Sequence, residues 1–191
     1  MRHFLIFLLL VFLGIQSNAK SFRDKLLAEL KNTPKNQDKS ILFNRIAHAV
    51  RETNLDSAIY YSRKGLDLAT DIGYPLGIAE NAASLGDFYV QYDSLDKAKE
   101  NYILAIVYFK QLDKKYDLAS LLKIVGNIYL SQSNYSEALL FYKNSLVVSE
   151  RNNYTDILPH IYNNSGLIYQ HLKENQKALT NYQKAYEGFK K

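Results

Sequence analysis

The sequence predicts an all-α chain, an α-solenoid of about four helical hairpins, and three observations carry that expectation. Matched residues recur every 40 positions, apolar residues fall three and four apart, and no stretch sustains the alternation of a strand. With 191 residues, 47% of them hydrophobic and 23% charged, the chain can build a core and need not be disordered.

The period shows in several columns at once. Gly86, Gly126 and Gly166 are 40 apart, as are Tyr89, Tyr129 and Tyr169, and Ala58, Ala98, Ala138 and Ala178. Four residues after each alanine come Ser62, Tyr102, Tyr142 and Tyr182, and seven after come the small residues Gly65, Ala105, Ser145 and Ala185. Three before stand Leu55, Leu95, Tyr135 and Asn175.

Each period reads as two helices joined by a polar turn. The turns are Asp93-Ser94, Gln132-Ser133-Asn134 and Lys173-Glu174-Asn175, residue types suited to helix caps and turns. Pro75 and Pro159 stand near the starts of first helices, where a missing N–H costs nothing. A glycine inside a helix costs about 1 kcal/mol against alanine, so three in one register mark a close approach. Gly86 is expected to face Ala98, Gly126 to face Ala138 and Gly166 to face Ala178, each pair within one hairpin. The column at Ala105 and Ser145 would then meet the next hairpin, with the tyrosines filling the gaps.

Taken together, these columns resemble the tetratricopeptide repeat. That repeat has a small residue at its eighth position, an aromatic at the eleventh, alanine at the twentieth, an aromatic at the twenty-fourth and a small residue at the twenty-seventh. Here the pattern reads Gly86, Tyr89, Ala98, Tyr102, Ala105; then Gly126, Tyr129, Ala138, Tyr142, Ser145; then Gly166, Tyr169, Ala178, Tyr182, Ala185. The resemblance covers roughly residues 40–191. Its period of 40 exceeds the family's usual 34, and the first unit is degenerate, with Ile46 and Ala49 in the Gly and Tyr columns. A terminal unit is commonly atypical because it caps the stack. The expected units are 37–73, 74–113, 114–153 and 154–191, preceded over 20–36 by an amphipathic helix (Ser21 to Asn32) and a polar loop around Pro34. The sequence stops at the second helix of the fourth unit, so apolar surface around Ala185 is expected to stand bare. That motivates two expectations: a truncated gene product, or an end that meets a partner.

The first residues read differently. A basic start, Met1-Arg2-His3, precedes an apolar run from Phe4 to Ile15 and the small residues of Ser17-Asn18-Ala19. This is the pattern of a secretory signal peptide over 1–19, cleaved after Ala19. The competing reading is a retained anchor, although the run is shorter than the roughly 20 residues of a spanning helix. An exported, periplasmic or extracellular location follows as an expectation. The membrane would enter only through this segment or through a missing C-terminal one.

The chemistry looked for is missing. The chain has no cysteine, which removes thiolate metal sites, thiol nucleophiles and disulfides. His160 and His171 lie 11 residues apart, about 16 Å along a helix, too far to share a metal. There is no His-Glu-x-x-His, phosphate loop or Gly-x-Ser-x-Gly. The net charge of +5 is spread over interspersed Lys, Asp and Glu with no basic stripe, so a nucleic-acid partner is not expected. Asn134, Asn153 and Asn163 begin glycosylation-type triplets, but turn and helix roles explain them as well. No enzyme activity, metal or cofactor is expected.

The family resemblance implies a ligand groove lined by the first helices. Its positions fall on Glu80, Asp87 and Gln91; on Lys123, Asn127 and Ser131; and on His160, Asn163, Asn164, Gln170 and His171. A solvated polar face is the plainer alternative. Some family members hold a peptide's terminal carboxylate with Lys and Asn of one repeat and Asn of the next, and Lys123, Asn127 and Asn164 occupy those places. The implied function is an exported scaffold or adaptor binding a protein or peptide. The rival is the extracytoplasmic sensory region of a bacterial signal-transduction regulator, such as a histidine kinase.

Overall fold

The computed structural model describes residues 22–190, and every regular element among them is an α-helix. The expected signal segment 1–19 lies outside the described residues. The helices are α1 (22–32), α2 (Gln37–Val50), α3 (Leu55–Asp71), α4 (Pro75–Gln91), α5 (Leu95–Gln111), α6 (Lys115–Ser131), α7 (Tyr135–Asn152), α8 (Leu158–His171) and α9 (Asn175–Phe189). They fall into two compact units, dividing after Ser94.

In the first unit α3 packs on α2 and on α4, and α2 also reaches α4. Leu26 of α1 joins Leu42, Ile46, Ala47, Val50, Ala58 and Phe88 in one apolar cluster. Asn36 and Asn54 start α2 and α3 by side-chain capping, accepting from the backbone N–H of Lys39 at 3.2 Å and of Ser57 at 2.8 Å. Pro75 opens α4 at its first helical position, as expected.

In the second unit α6 packs on α5 and α7, and α8 on α7 and α9. The core gathers Ala119, Ala138, Tyr142, Ile157, Ile161 and Ile168. Gly126 and Gly166 do mark close approaches within their hairpins, but the partner differs from the expected alanine. A Cβ on Gly126 would lie 2.5 Å from the Tyr142 ring, and one on Gly166 would lie 2.8 Å from the Tyr182 ring. The tyrosines therefore press on the glycines. The Ser145 hydroxyl donates back to the Ala119 carbonyl of its own hairpin at 2.6 Å. Ala185 itself is 3% exposed, but the apolar surface expected to stand bare around it does so on α9, where Leu179, Tyr186 and Phe189 are each more than half exposed.

The turns hold a second departure. Gly73, Asp93, Asp113, Ser133, Asn153 and Lys173 have φ between 55° and 62° and recur every 20 residues. After each, the next N–H reaches back five residues, as Ser94 N to Tyr89 O and Glu174 N to Tyr169 O, both at 2.8 Å. This is the Schellman ending, with a left-handed residue just past the helix. Asn134 makes no capping bond to α7, so the polar turns serve here through backbone conformation.

Candidate functional site

On α6, Lys123, Asn127 and Ser131 follow at intervals of four and so share one face. Helix α8, which touches α6, brings Asn163 and Asn164. Asn127 is where the two helices are tied. Its Oδ1 accepts from the Tyr142 hydroxyl at 2.8 Å and from Asn164 Nδ2 at 2.9 Å, and Asn164 Nδ2 lies 3.3 Å from Tyr142 Oη. With both lone pairs of that oxygen engaged, the carboxamide is held in one orientation, and Nδ2 remains its donor side. Asn163 Nδ2 donates to Asn164 Oδ1 at 3.4 Å. Lys123 stands one turn before Asn127 and enters no ion pair among the described residues.

The other positions in this unit are engaged locally. Ser131 donates to the Ile128 carbonyl of its own helix at 2.8 Å. Gln170 Oε1 accepts from the Tyr182 hydroxyl at 2.7 Å. His171 stacks on Tyr135 with ring centres 5.5 Å apart, and His160 meets Phe189 edge-on at 5.1 Å. Both imidazoles remain exposed while making these ring contacts.

Tyr142 is the residue that the sequence left out of the site. Its ring is 1% exposed, and burial pushes its hydroxyl pKa up to about 12, against a smaller lowering by Asn164. It stays a neutral donor at physiological pH. The signal was available: a buried tyrosine, unlike a phenylalanine, needs a polar partner for its hydroxyl.

In the first unit, Glu80, Asp87 and Gln91 are exposed along α4. Beside them lies a cluster between α2 and α4. His48 Nε2 is 2.9 Å from Ser84 Oγ, Asn44 Nδ2 donates to the same hydroxyl at 3.1 Å, and the His48 ring meets Phe88 edge-on at 5.4 Å. Burial lowers the His48 pKa, Arg51 lowers it further, and Asp87 opposes both. Ser84 is 5% exposed and shared with Asn44, so this histidine–serine pair ties two helices. Asn44 and Ser84 stand in the same 40-residue column as Asn164, so the position that selected Asn164 pointed to them as well.

Among the described residues, no three His, Cys, Asp or Glu gather as metal ligands, and no helix is long and apolar enough to cross a membrane.

No family model matches the chain, and no curated protein does. Solved structures do. BtubC from P. vanneervenii is 21% identical, with a TM-score of 0.79 over 92% of this chain and 73% of that one. A signal transduction ATPase with a tetratricopeptide repeat sensor from Pyrococcus horikoshii is 19% identical, with a TM-score of 0.76 over 93% of this chain and 28% of that one. Bacillus thuringiensis PlcR, in complex with the peptide PapR7 and DNA, is 18% identical, with a TM-score of 0.65 over 94% of this chain and 66% of that one. At these identities the likeness establishes the fold, an all-helical tetratricopeptide-like repeat, and nothing finer.

Proposed function

We propose that this chain is a non-enzymatic binding scaffold that takes a polypeptide against the α6–α8 face. The observation that carries this reading is Asn127, whose oxygen is engaged by Tyr142 and Asn164, fixing its amide as a donor one turn from the Lys123 ammonium. A preset amide donor beside a cation suits a peptide carbonyl or carboxylate. The likeness to a protein solved with a bound peptide supports it. The basic start, apolar run and small residues of 1–19 support export, so the partner belongs outside the cytoplasm.

The test is a pull-down from the extracytoplasmic fraction with residues 20–191 as bait. A partner is expected that Lys123→Glu releases while helicity by circular dichroism is kept. Asn127→Ala is the weaker probe, since it also frees Tyr142. Capture that survives Lys123→Glu moves the site off α6. N-terminal sequencing of the exported chain should begin at Lys20, and an intact Met1 would sink cleavage.

A second reading has its own support. The chain aligns over 93% of its length with a protein carrying a tetratricopeptide repeat sensor, of which it spans 28%. On this reading the chain is the extracytoplasmic sensory region of a signalling regulator. A reading frame continuing beyond Lys191 into an output domain would decide for it, and a stop codon there would decide against it.

A further inference from the structure

The outer surface of the second unit carries aliphatic side chains where a solvated helix would carry charge. Ile103 and Val107 on α5, and Leu140 and Val147 on α7, are each at least 40% exposed. Three of the four are β-branched, a poor choice for helix propensity, so local helix stability does not explain them. On both helices the aliphatic strip runs within one turn into a cation, from Val107 to Lys110 and from Val147 to Arg151. Lys110 and Arg151 line one hollow of about 170 Å³ floored by Phe109 and Val148. The acid on its rim, Asp113, is taken up by Lys115 at 3.2 Å. Neither Lys110 nor Arg151 enters an ion pair among the described residues. The result is two apolar strips that both end at uncompensated positive charge.

We propose that this outer face docks an amphipathic peptide segment of a partner protein, its apolar residues on the strips and an acidic side chain in the Lys110–Arg151 hollow. Size argues for a protein side chain over a free small molecule, whose sites usually exceed about 300 Å³. Charge complementarity sets the direction of the segment, with its acidic end toward the C-termini of α5 and α7, and it steers the encounter. The surface is separate from the α6–α8 face and does not depend on it.

The test uses the full chain and a short fluorescein-labelled amphipathic peptide whose leucine stripe ends in glutamates, with a sibling ending in lysines. Fluorescence anisotropy should show saturable binding of the acidic peptide, at least about tenfold tighter than the basic one and weakened by salt. Lys110→Glu/Arg151→Glu should weaken it about tenfold, as should Val107→Asp/Val147→Asp, while Lys64→Glu on α3 leaves it unchanged. Circular dichroism confirms that each variant is folded. Equal affinity for both peptides, or binding untouched by either double variant, overturns the proposal. So does sedimentation with phosphatidylglycerol vesicles by a chain that ignores the peptide, which would assign the surface to a membrane.

Discussion

At the scale of single residues, two side chains report how the fold uses its chemistry. The Tyr142 ring rests where a Gly126 Cβ would be, and its hydroxyl is held by Asn127. Gly126→Ala gains about 1 kcal/mol of helix propensity but must displace an anchored ring, at about 1–3 kcal/mol. The expected net loss is about 0–2 kcal/mol by urea denaturation, and a stabilised variant would mean that the ring is free to move. The glycine column was legible in the sequence because it repeats. Its partner was misassigned because a 40-residue period gives the face of each helix and not the rotamer of the side chain crossing it. His48 makes a second prediction. Its pKa is lowered by burial and by Arg51, with Asp87 opposing, so the folded chain binds this proton less readily than the unfolded one. Its stabilising contribution is therefore full above the ordinary value near 6.5 and is lost as pH falls through the folded value. The urea midpoint should drop between pH 7.5 and pH 5.5, and His48→Gln should drop less. Parallel curves would show that the imidazole is not the titrating group.

At the scale of elements, the period of 40 conceals a period of 20. Every turn from Gly73 to Lys173 bends through a left-handed residue, yet the six positions carry Gly, Asp, Asp, Ser, Asn and Lys. No common side chain marks them, so matched letters show the long period and hide the short one. What they share is a backbone demand, which Asp and Asn tolerate, glycine meets freely and lysine meets poorly. Lys173→Gly should therefore stabilise the chain by about 0.5–1 kcal/mol, and Asn153→Gly by less. A loss at Lys173 would point to the lysine side chain as a hidden contributor. The first unit shows the converse. Ile46 fills the glycine column and Ser62 the tyrosine column, both fully buried, a large residue for a small one and a small for a large. That unit reads as degenerate because Ile46 and Ala49 break the glycine and first tyrosine columns, and Ser62 breaks the second tyrosine column as well. The buried Ser62 hydroxyl has no hydrogen-bond partner. Ser62→Ala is expected to be neutral or stabilising by about 1 kcal/mol, measured against Ser40→Ala, which removes a bond to the Gly65 carbonyl.

At the scale of the whole molecule, repeat stacking makes contacts local along the chain. Each helix of the second unit packs mainly on the helices next to it in sequence, with α6 also touching α8. This is why so much of the architecture was legible from periodicity: a chain whose partners are its neighbours needs no distant pairing to be guessed. The site was less legible for the same reason. Its key bonds run from Asn127 to Tyr142 and Asn164 across three helices, and the column that flagged two of them read the third as packing. Local stacking also governs how damage spreads. Ile161 is fully buried in the cluster with Ala119, Tyr142, Ile157 and Ile168. Truncation at Ile161→Ala leaves a cavity that should cost about 2–4 kcal/mol. In a nearest-neighbour chain that cost falls first on the interfaces of the helix that carries it. Amide exchange should accelerate most in α8, α7 and α9, and least in α5, which shares no interface with α8. Uniform acceleration from α5 to α9 would instead mean that the unit opens as one cooperative block, and that repeat-by-repeat addition of stability does not describe it.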